Sequence, residues 1–289
     1  MTLDLVLQGP GITHAHADEL AARLGAKSTD HVAPHAYRLR GIEARAIGER
    51  GAPARAEVAA WCDERRIDHA WVTPGRRFAE LGLLAMDMDS TLITIECIDE
   101  LGDMAGVKAR VAAITERAMR GELDYPASLR ERVALLEGLD ADVLRRVYEE
   151  RLRLTPGAEA LIAQCKANGV RLLLVSGGFT YFTDRLRDRL GIDYTISNTL
   201  ELADGRLTGR LVGEIIDADA KAAMFLRTAA ALGLERSRTV AIGDGANDLK
   251  MMSQAGLSVA YRAKPVVRAQ ADCALNWSPL DAVLNLFER

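Results

Sequence analysis

No histidine follows residue 69 in this chain of 289 residues; His14, His16, His31, His35 and His69 are the whole set. A Ser-His-Asp or Cys-His centre, or a histidine-ligated zinc site, is therefore excluded from everything beyond that point. Cysteine is scarce as well. Cys62, Cys97, Cys165 and Cys273 stand far apart and form no metal-ligand or redox pattern. Reduced thiols in a cytoplasmic protein are the simplest expectation. Charge of one sign is also missing: a net charge of −4 leaves no electrostatic footprint for nucleic acid or an anionic membrane. No apolar run is long enough to span a bilayer, and Met1-Thr2-Leu3-Asp4 lacks the basic n-region and apolar h-region of a signal peptide. Internal repeats and low-complexity segments are absent. What remains is ordinary globular composition, 49% hydrophobic and 27% charged, at a length that suits two domains or one large one.

The most informative stretch is Leu83-Leu84-Ala85-Met86-Asp87-Met88-Asp89-Ser90-Thr91, an apolar run that ends in two acids one residue apart. Strands buried on both faces of a parallel sheet read as such runs, and ligands bind beyond their carboxyl ends. Two later runs end in a similar way. Residues 170–175 lead into Ser176-Gly177-Gly178, and 239–242 lead into Gly243-Asp244-Gly245-Ala246-Asn247-Asp248. Helices are expected over 158–167, 181–190 and 218–232, and short strands over 257–260 and 273–275. A hairpin is expected to pair 194–203 with 206–212 across Asp204-Gly205. Strands alternating with helices predict an α/β fold with a doubly wound, Rossmann-like parallel sheet over 76–289. Between the first strand and its continuation, residues 97–153 show helical pattern only, over 107–120, 125–136 and 141–152. They predict a helical cap placed where it could cover the strand tip.

Residues 1–75 predict a smaller α+β unit. Strands at 3–7, 36–39, 44–47 and 69–72, with helices over 13–24 and 53–66, give the β-α-β-β-α-β order of a ferredoxin-like fold. The pattern resembles an ACT-like regulatory domain. Amino-acid sensing and homodimerisation are its two open roles; a structural appendage is preferred, since no ligand signature is found. His14 and His16 read as surface residues near a helix start.

A D-x-D pair, a Ser-Gly-Gly turn or a lone lysine is bland taken singly. Together, at successive strand tips and loops, they suit phosphoryl transfer. Asp87, Asp89 and Asp244 converging on one point would repel one another unless a cation sat among them, and Mg²⁺ prefers carboxylate and phosphate oxygens. Lys221, Ser176 and the Gly177 N–H could hold a phosphate dianion. One carboxylate can attack phosphorus while another moves the proton.

In this order the four groups of residues resemble the motifs of the haloacid dehalogenase superfamily of phosphatases, over about residues 80–275. By that resemblance Asp87 is the nucleophile that forms an aspartyl-phosphate, and Asp89 is the general acid/base. Mg²⁺ is held by Asp87, the Asp89 main-chain carbonyl and Asp244, with Asp248 supporting the metal shell, while Lys221 and Ser176 hold the phosphate. Asp87 to Glu96, with Met119, Tyr125 and Ser128 to Leu136, resembles the phosphoserine phosphatases. That implies a small-molecule substrate, O-phospho-L-serine, and a place at the last step of serine biosynthesis. In that family the position of Glu96 receives the substrate ammonium and that of Arg132 grips its carboxylate. Asn247 matches a position that touches phosphate or substrate, and Tyr125 stands where other members often carry Phe. Without the resemblance, Arg132 beside Arg130 and Glu131 reads as a solvated helix charge. One decoy is present: Cys165 to Arg171 has the C-x₅-R spacing of cysteine phosphatases. Its cysteine falls on an expected helix and its arginine opens a strand, the reverse of that motif, so Cys165 is expected in the apolar core.

Overall fold

The structure, a computed structural model, describes residues 2–288. Two sheets organise the chain. The smaller contains β1 (Thr2–Gln8), β2 (Ser28–Ala33), β3 (Ala36–Glu43) and β4 (Asp68–Val72), antiparallel throughout in the order β2-β3-β1-β4. Alternation along β1 serves two cores at once. Leu5 and Leu7 pack with Leu20 of the helix His14–Leu24 and Val58 and Trp61 of the helix Pro53–Glu64. Val6 points the other way and joins Ala70 and Val72 in the core shared with the larger sheet.

The expected β-α-β-β-α-β order is present with two corrections. Residues 44–47 form a single helical turn, Ala44–Ile47, rather than a strand. Ala and Arg are good helix formers, and four residues cannot show which period they follow. The remaining strand is Ser28–Ala33, at the sheet edge with no fully buried residue, so it carries no hydrophobic alternation to read.

The larger sheet has seven strands: β5 (Leu83–Met86), β6 (Arg171–Phe179), β7 (Tyr194–Ala203), β8 (Arg206–Val212), β9 (Thr239–Gly243), β10 (Leu257–Tyr261) and β11 (Cys273–Leu275). Their spatial order is β11-β10-β9-β5-β6-β7-β8. All neighbours are parallel except β7 and β8, so the sheet is mixed at one edge. A two-residue turn can join only antiparallel strands. Asp204 and Gly205 both take positive φ there, 50° and 73°, as that tight turn requires. β5 lies between β6 and β9, at the switch point where such sheets bind ligands. Met86 is level with both Leu174 and Ile242, so the three reactive tips emerge side by side.

Ile93 and Leu154 pair as an antiparallel bridge, and the Thr94 N–H donates to the Arg153 carbonyl. The insertion thus leaves and rejoins the core through one narrow neck. Beyond it lie helices Cys97–Met104, Lys108–Met119, Tyr125–Ala134 and Asp142–Arg146, the last running into a π-turn, Val147–Arg151. Cys97–Met104 is additional to the three helices expected. The cap is tethered a second time to the β7–β8 hairpin: the Gly138 and Ala141 N–H groups donate to the Leu207 and Gly205 carbonyls, and the Leu207 N–H donates to the Leu139 carbonyl.

The smaller sheet is joined to the C-terminal segment by buried charges. Asp68 accepts from the N–H groups of Asn276, Trp277 and Ser278 at 2.6, 3.1 and 2.8 Å. Arg38, 1% exposed, donates to the carbonyls of Asn285 and Phe287 at 3.0 and 2.9 Å. Among the described residues no helix is long and apolar enough to cross a membrane.

Candidate active site

Asp87 follows β5 directly. Its Oδ1 accepts from the Met88 N–H at 2.7 Å and from the Lys221 ammonium at 2.9 Å. Among the described residues no protein group donates to Oδ2, which is left for the site. Lys221 projects from the helix Ala218–Ala231, whose start is capped by the Asp217 carboxylate accepting from Asp219 and Ala220. The lysine is 0% exposed, and its ammonium also lies 2.8 Å from Asp248 Oδ1. The other Asp248 oxygen accepts from the Gly245 N–H at 3.1 Å. Asp244 Oδ1 accepts from the Thr91 hydroxyl at 3.0 Å.

Asp89 sits in the tight turn Met88–Leu92, where Ser90 takes a positive φ of 55°. Asp89 Oδ1 accepts from the Cys97 N–H at 2.9 Å, at the start of the first cap helix. A Cβ added to Gly178 would stand 2.7 Å from Asp89 Oδ2, and one on Gly177 would collide with the Tyr125 hydroxyl. Only glycine lets the loop come this close to both side chains. Ser176 is buried, and its Oγ accepts from the Gly178 N–H at 2.8 Å. From the cap side, Tyr125 donates its hydroxyl to the Gly177 carbonyl at 3.1 Å. Glu96 accepts from the Ser90 hydroxyl at 2.7 Å. Arg132 is half-buried, its Nε donating to the Ser128 carbonyl of its own helix at 3.3 Å. Asn247 is half-buried on the turn Ala246–Asp248.

The electrostatics follow from an excess of acids. Burial first, then the Asp248 carboxylate, pushes Asp87 well above the usual carboxylate range, opposed by Lys221. Burial and Glu96 raise Asp89 to about 7; burial and Asp248 raise Asp244 to about 7. Burial also raises Glu96, opposed by the Ser90 hydrogen bond and the Arg132 charge. For Lys221, burial favours the neutral amine, but Asp248 and Asp87 outweigh it and hold the ammonium charged. Raised acids around a raised lysine describe a site short of positive charge.

One oxygen each from Asp87, Asp244 and Asp248 lie within 4.8 Å of one another. Hard oxygen donors in an acid-rich, partly buried cluster fit a divalent metal ion. The sequence-derived residues Asp87, Asp89, Glu96, Ser176, Gly177, Lys221, Asp244 and Asp248 are brought together here. Charges and ion pairs link the acids and Lys221, and the close approach of Gly178 to Asp89 brings the Ser176–Gly177 loop alongside them. Burial pushes Tyr125 to about 12, with Lys221, Arg132, Asp87 and Asp89 as its charged neighbours, so the cap aromatic sits among the catalytic candidates. Thr91 was visible as a hydroxyl after the D-x-D pair, but its contact with Asp244, from a distant part of the chain, was not. The cysteine decoy fails: Cys165 is fully buried with its thiol pushed to about 12, and Arg171 pairs at the surface with Asp193 at 2.7 Å.

The raised acids predict a pH-dependent response to metal. A carboxyl whose folded pKa is raised stabilises the fold fully below its unfolded value, and that contribution is lost as pH rises through the folded value. For Asp89 and Asp244 the window runs from about 4, the unfolded carboxylate value, to about 7. Metal binding selects the charged forms and releases protons. In melting experiments, the shift between chelator-treated and metal-loaded protein should be larger at pH 7.5 than at pH 5.5. Equal shifts would contradict these protonation states.

Residues 84–253 match the haloacid dehalogenase-like hydrolase family. A phosphoserine phosphatase from Polaromonas sp. is 58% identical over 219 residues, covering 74% of this chain and 93% of that protein. Among solved structures, a HAD family hydrolase from Salmonella enterica serovar Typhi superposes with a TM-score of 0.90 at 30% identity, covering 99% of this chain and 98% of that one. A probable phosphoserine phosphatase from Vibrio cholerae, unliganded, superposes with a TM-score of 0.82 at 38% identity, covering 99% and 86%.

Proposed function

The chain belongs to the haloacid dehalogenase-like hydrolase family, and from that premise we propose that it is a Mg²⁺-dependent phosphatase of O-phospho-L-serine, releasing L-serine and inorganic phosphate. The observation that carries the substrate is the pair Glu96 and Arg132, opposite charges on the cap side of Asp87, matching the ammonium and carboxylate of an amino acid.

Asp87 Oδ2 attacks phosphorus, and the bond from phosphorus to the serine oxygen breaks as Asp89 gives that oxygen its proton. Water then attacks the phosphorus of the aspartyl-phosphate. Asp89 takes the water proton, the P–Oδ2 bond breaks, and Asp87 is restored with release of phosphate. A carboxyl raised to about 7 can serve as acid in the first half and base in the second near neutral pH. Lys221 offsets the charge of Asp87 and of the phosphate, while the Ser176 hydroxyl and Gly177 N–H donate to phosphate oxygens. Asn247, on the turn after Asp244, is assigned a contact with phosphate or substrate. Mg²⁺, held by Asp87, the Asp89 main-chain carbonyl and Asp244 with Asp248 behind them, would supply the charge compensation that lets a phosphate dianion sit among carboxylates. The same proposal assigns 1–75 to an ACT-like unit and 76–289 to the phosphatase, with its cap over about 97–153, and places the enzyme in the cytoplasm.

Phosphate release from a panel of phosphomonoesters with Mg²⁺ tests the function: O-phospho-L-serine should be strongly preferred, and a preference for sugar phosphates would refute it. Arg132→Ala should cost roughly 100-fold in kcat/KM on O-phosphoserine, about two charge-assisted hydrogen bonds. On p-nitrophenyl phosphate, which has no carboxylate, the loss should be small. Equal losses on both substrates would remove Arg132 from the clamp.

A further inference from the structure

The Ser176-Gly177-Gly178 loop is a bulge in a parallel ladder. β6 and β7 are in register at Val175 and Ile196 and resume at Phe179 and Asn198. Four steps along β6 are matched by two along β7, so the three loop residues are pushed out of the sheet. A bulge strips backbone groups of their ladder partners, and buried backbone groups need replacements. Asn198 supplies one. Its side chain, 2% exposed, donates from Nδ2 to the Gly177 carbonyl at 2.8 Å and accepts at Oδ1 from the Ile216 N–H at 2.8 Å. Ile216 immediately precedes Asp217, the cap of the helix that carries Lys221. One buried amide therefore ties the loop to the run-in of the lysine helix.

The bond reaches further through the rigid peptide plane. The Gly177 carbonyl belongs to the same planar unit as the Gly178 N–H, and that N–H holds Ser176 Oγ at 2.8 Å. Fixing the carbonyl fixes the N–H, which occupies an acceptor site on the serine oxygen and leaves its proton to point elsewhere. The Tyr125 hydroxyl docks on the same carbonyl from the cap, so the orientation of this one peptide is shared by cap and core.

We propose that Asn198 is a positioning residue for phosphate: it sets the Gly177–Gly178 peptide plane, and with it Ser176, in a fixed relation to Lys221. This rests on reading Ser176 and Lys221 as the phosphate cradle. Asn198→Asp keeps the shape and the acceptor for Ile216, but loses the donor and sets an oxygen against the Gly177 carbonyl. In folded Asn198→Asp, kcat/KM for O-phosphoserine should fall at least tenfold, and the inhibition constant of inorganic phosphate should rise at least tenfold. The loss should shrink when Asn198→Asp is made in a Ser176→Ala background, because the effect passes through Ser176. Unchanged kinetics and phosphate inhibition with only a lowered melting temperature would overturn the proposal and leave Asn198 a stability residue. If Asn198→Asp does not fold, the wild-type protein still decides: its Asn198 side-chain amide resonance should shift on titration with inorganic phosphate, and no shift at saturation would overturn the proposal. A wild type that binds phosphate but does not turn over O-phosphoserine would instead refute the substrate, leaving the phosphate titration as a valid test of Asn198.

Discussion

Asp87→Asn is expected to abolish phosphate release, by on the order of 10⁴-fold or more, without lowering the melting temperature of the metal-free protein. Loss of a nucleophile removes the first bond-forming step, and losses of this size are usual for residues that act as one catalytic unit. The stability half follows from the charges. Asp87 is buried beside Asp248 and Asp244, so its negative form is disfavoured in the fold. An amide of the same shape can still accept from the Met88 N–H, and it removes one charge from the cluster. Lys221 keeps Asp248 as a partner. Phosphate release under saturating substrate, with thermal melting in chelator, checks both parts. Substantial residual turnover in Asp87→Asn would sink the aspartyl-phosphate mechanism.

Lys221→Met should be damaging in both respects. The ammonium is fully buried and bridges Asp87 and Asp248 at 2.9 and 2.8 Å. Removing it leaves two buried carboxylates with no counter-charge, and breaking such a buried network costs about 3–5 kcal/mol. Urea unfolding of chelator-treated protein should show a loss of that order, and added divalent cation should recover part of it. Turnover should fall at least ~10³-fold, since the phosphate loses the ammonium beside it and the charge of Asp87 is no longer held. Lys221→Arg is not expected to rescue, because a fully buried slot shaped for a compact ammonium has no room for a planar fork. A rise in KM alone, with stability unchanged, would place the lysine outside this network.

Most of the larger sheet was legible because strands buried on both faces must be apolar along their length, and a run of such residues ending in acids is hard to mistake. β8 was legible from its Asp-Gly turn. What escaped were elements whose cause is not local. Ser28–Ala33 lies at an edge, buries no residue fully, and owes its strand to pairing with β3. Residues 44–47 fell to helix because a four-residue alternation does not outweigh backbone preference. Asp68 and Arg38 look like ordinary surface charges in sequence, yet they bind backbone groups more than 200 residues away.

By itself the sequence determined the chemistry on offer: two acids at one strand tip, a serine and glycines at a second, more acids at a third, a lysine between, and no histidine to compete for the proton. Side-chain chemistry and short-range periodicity are local properties, so a chain can be read for them. Only the tertiary structure decided which of these groups meet. Strand order put β5 between β6 and β9 and so set Asp87 beside both other tips. Burial then set Asp87, Asp244 and Asp248 within reach of one cation. A bulge set Asn198, a strand residue in no sequence motif, against the Gly177 carbonyl. Those outcomes depend on register and desolvation, which arise only when distant segments pack and water leaves.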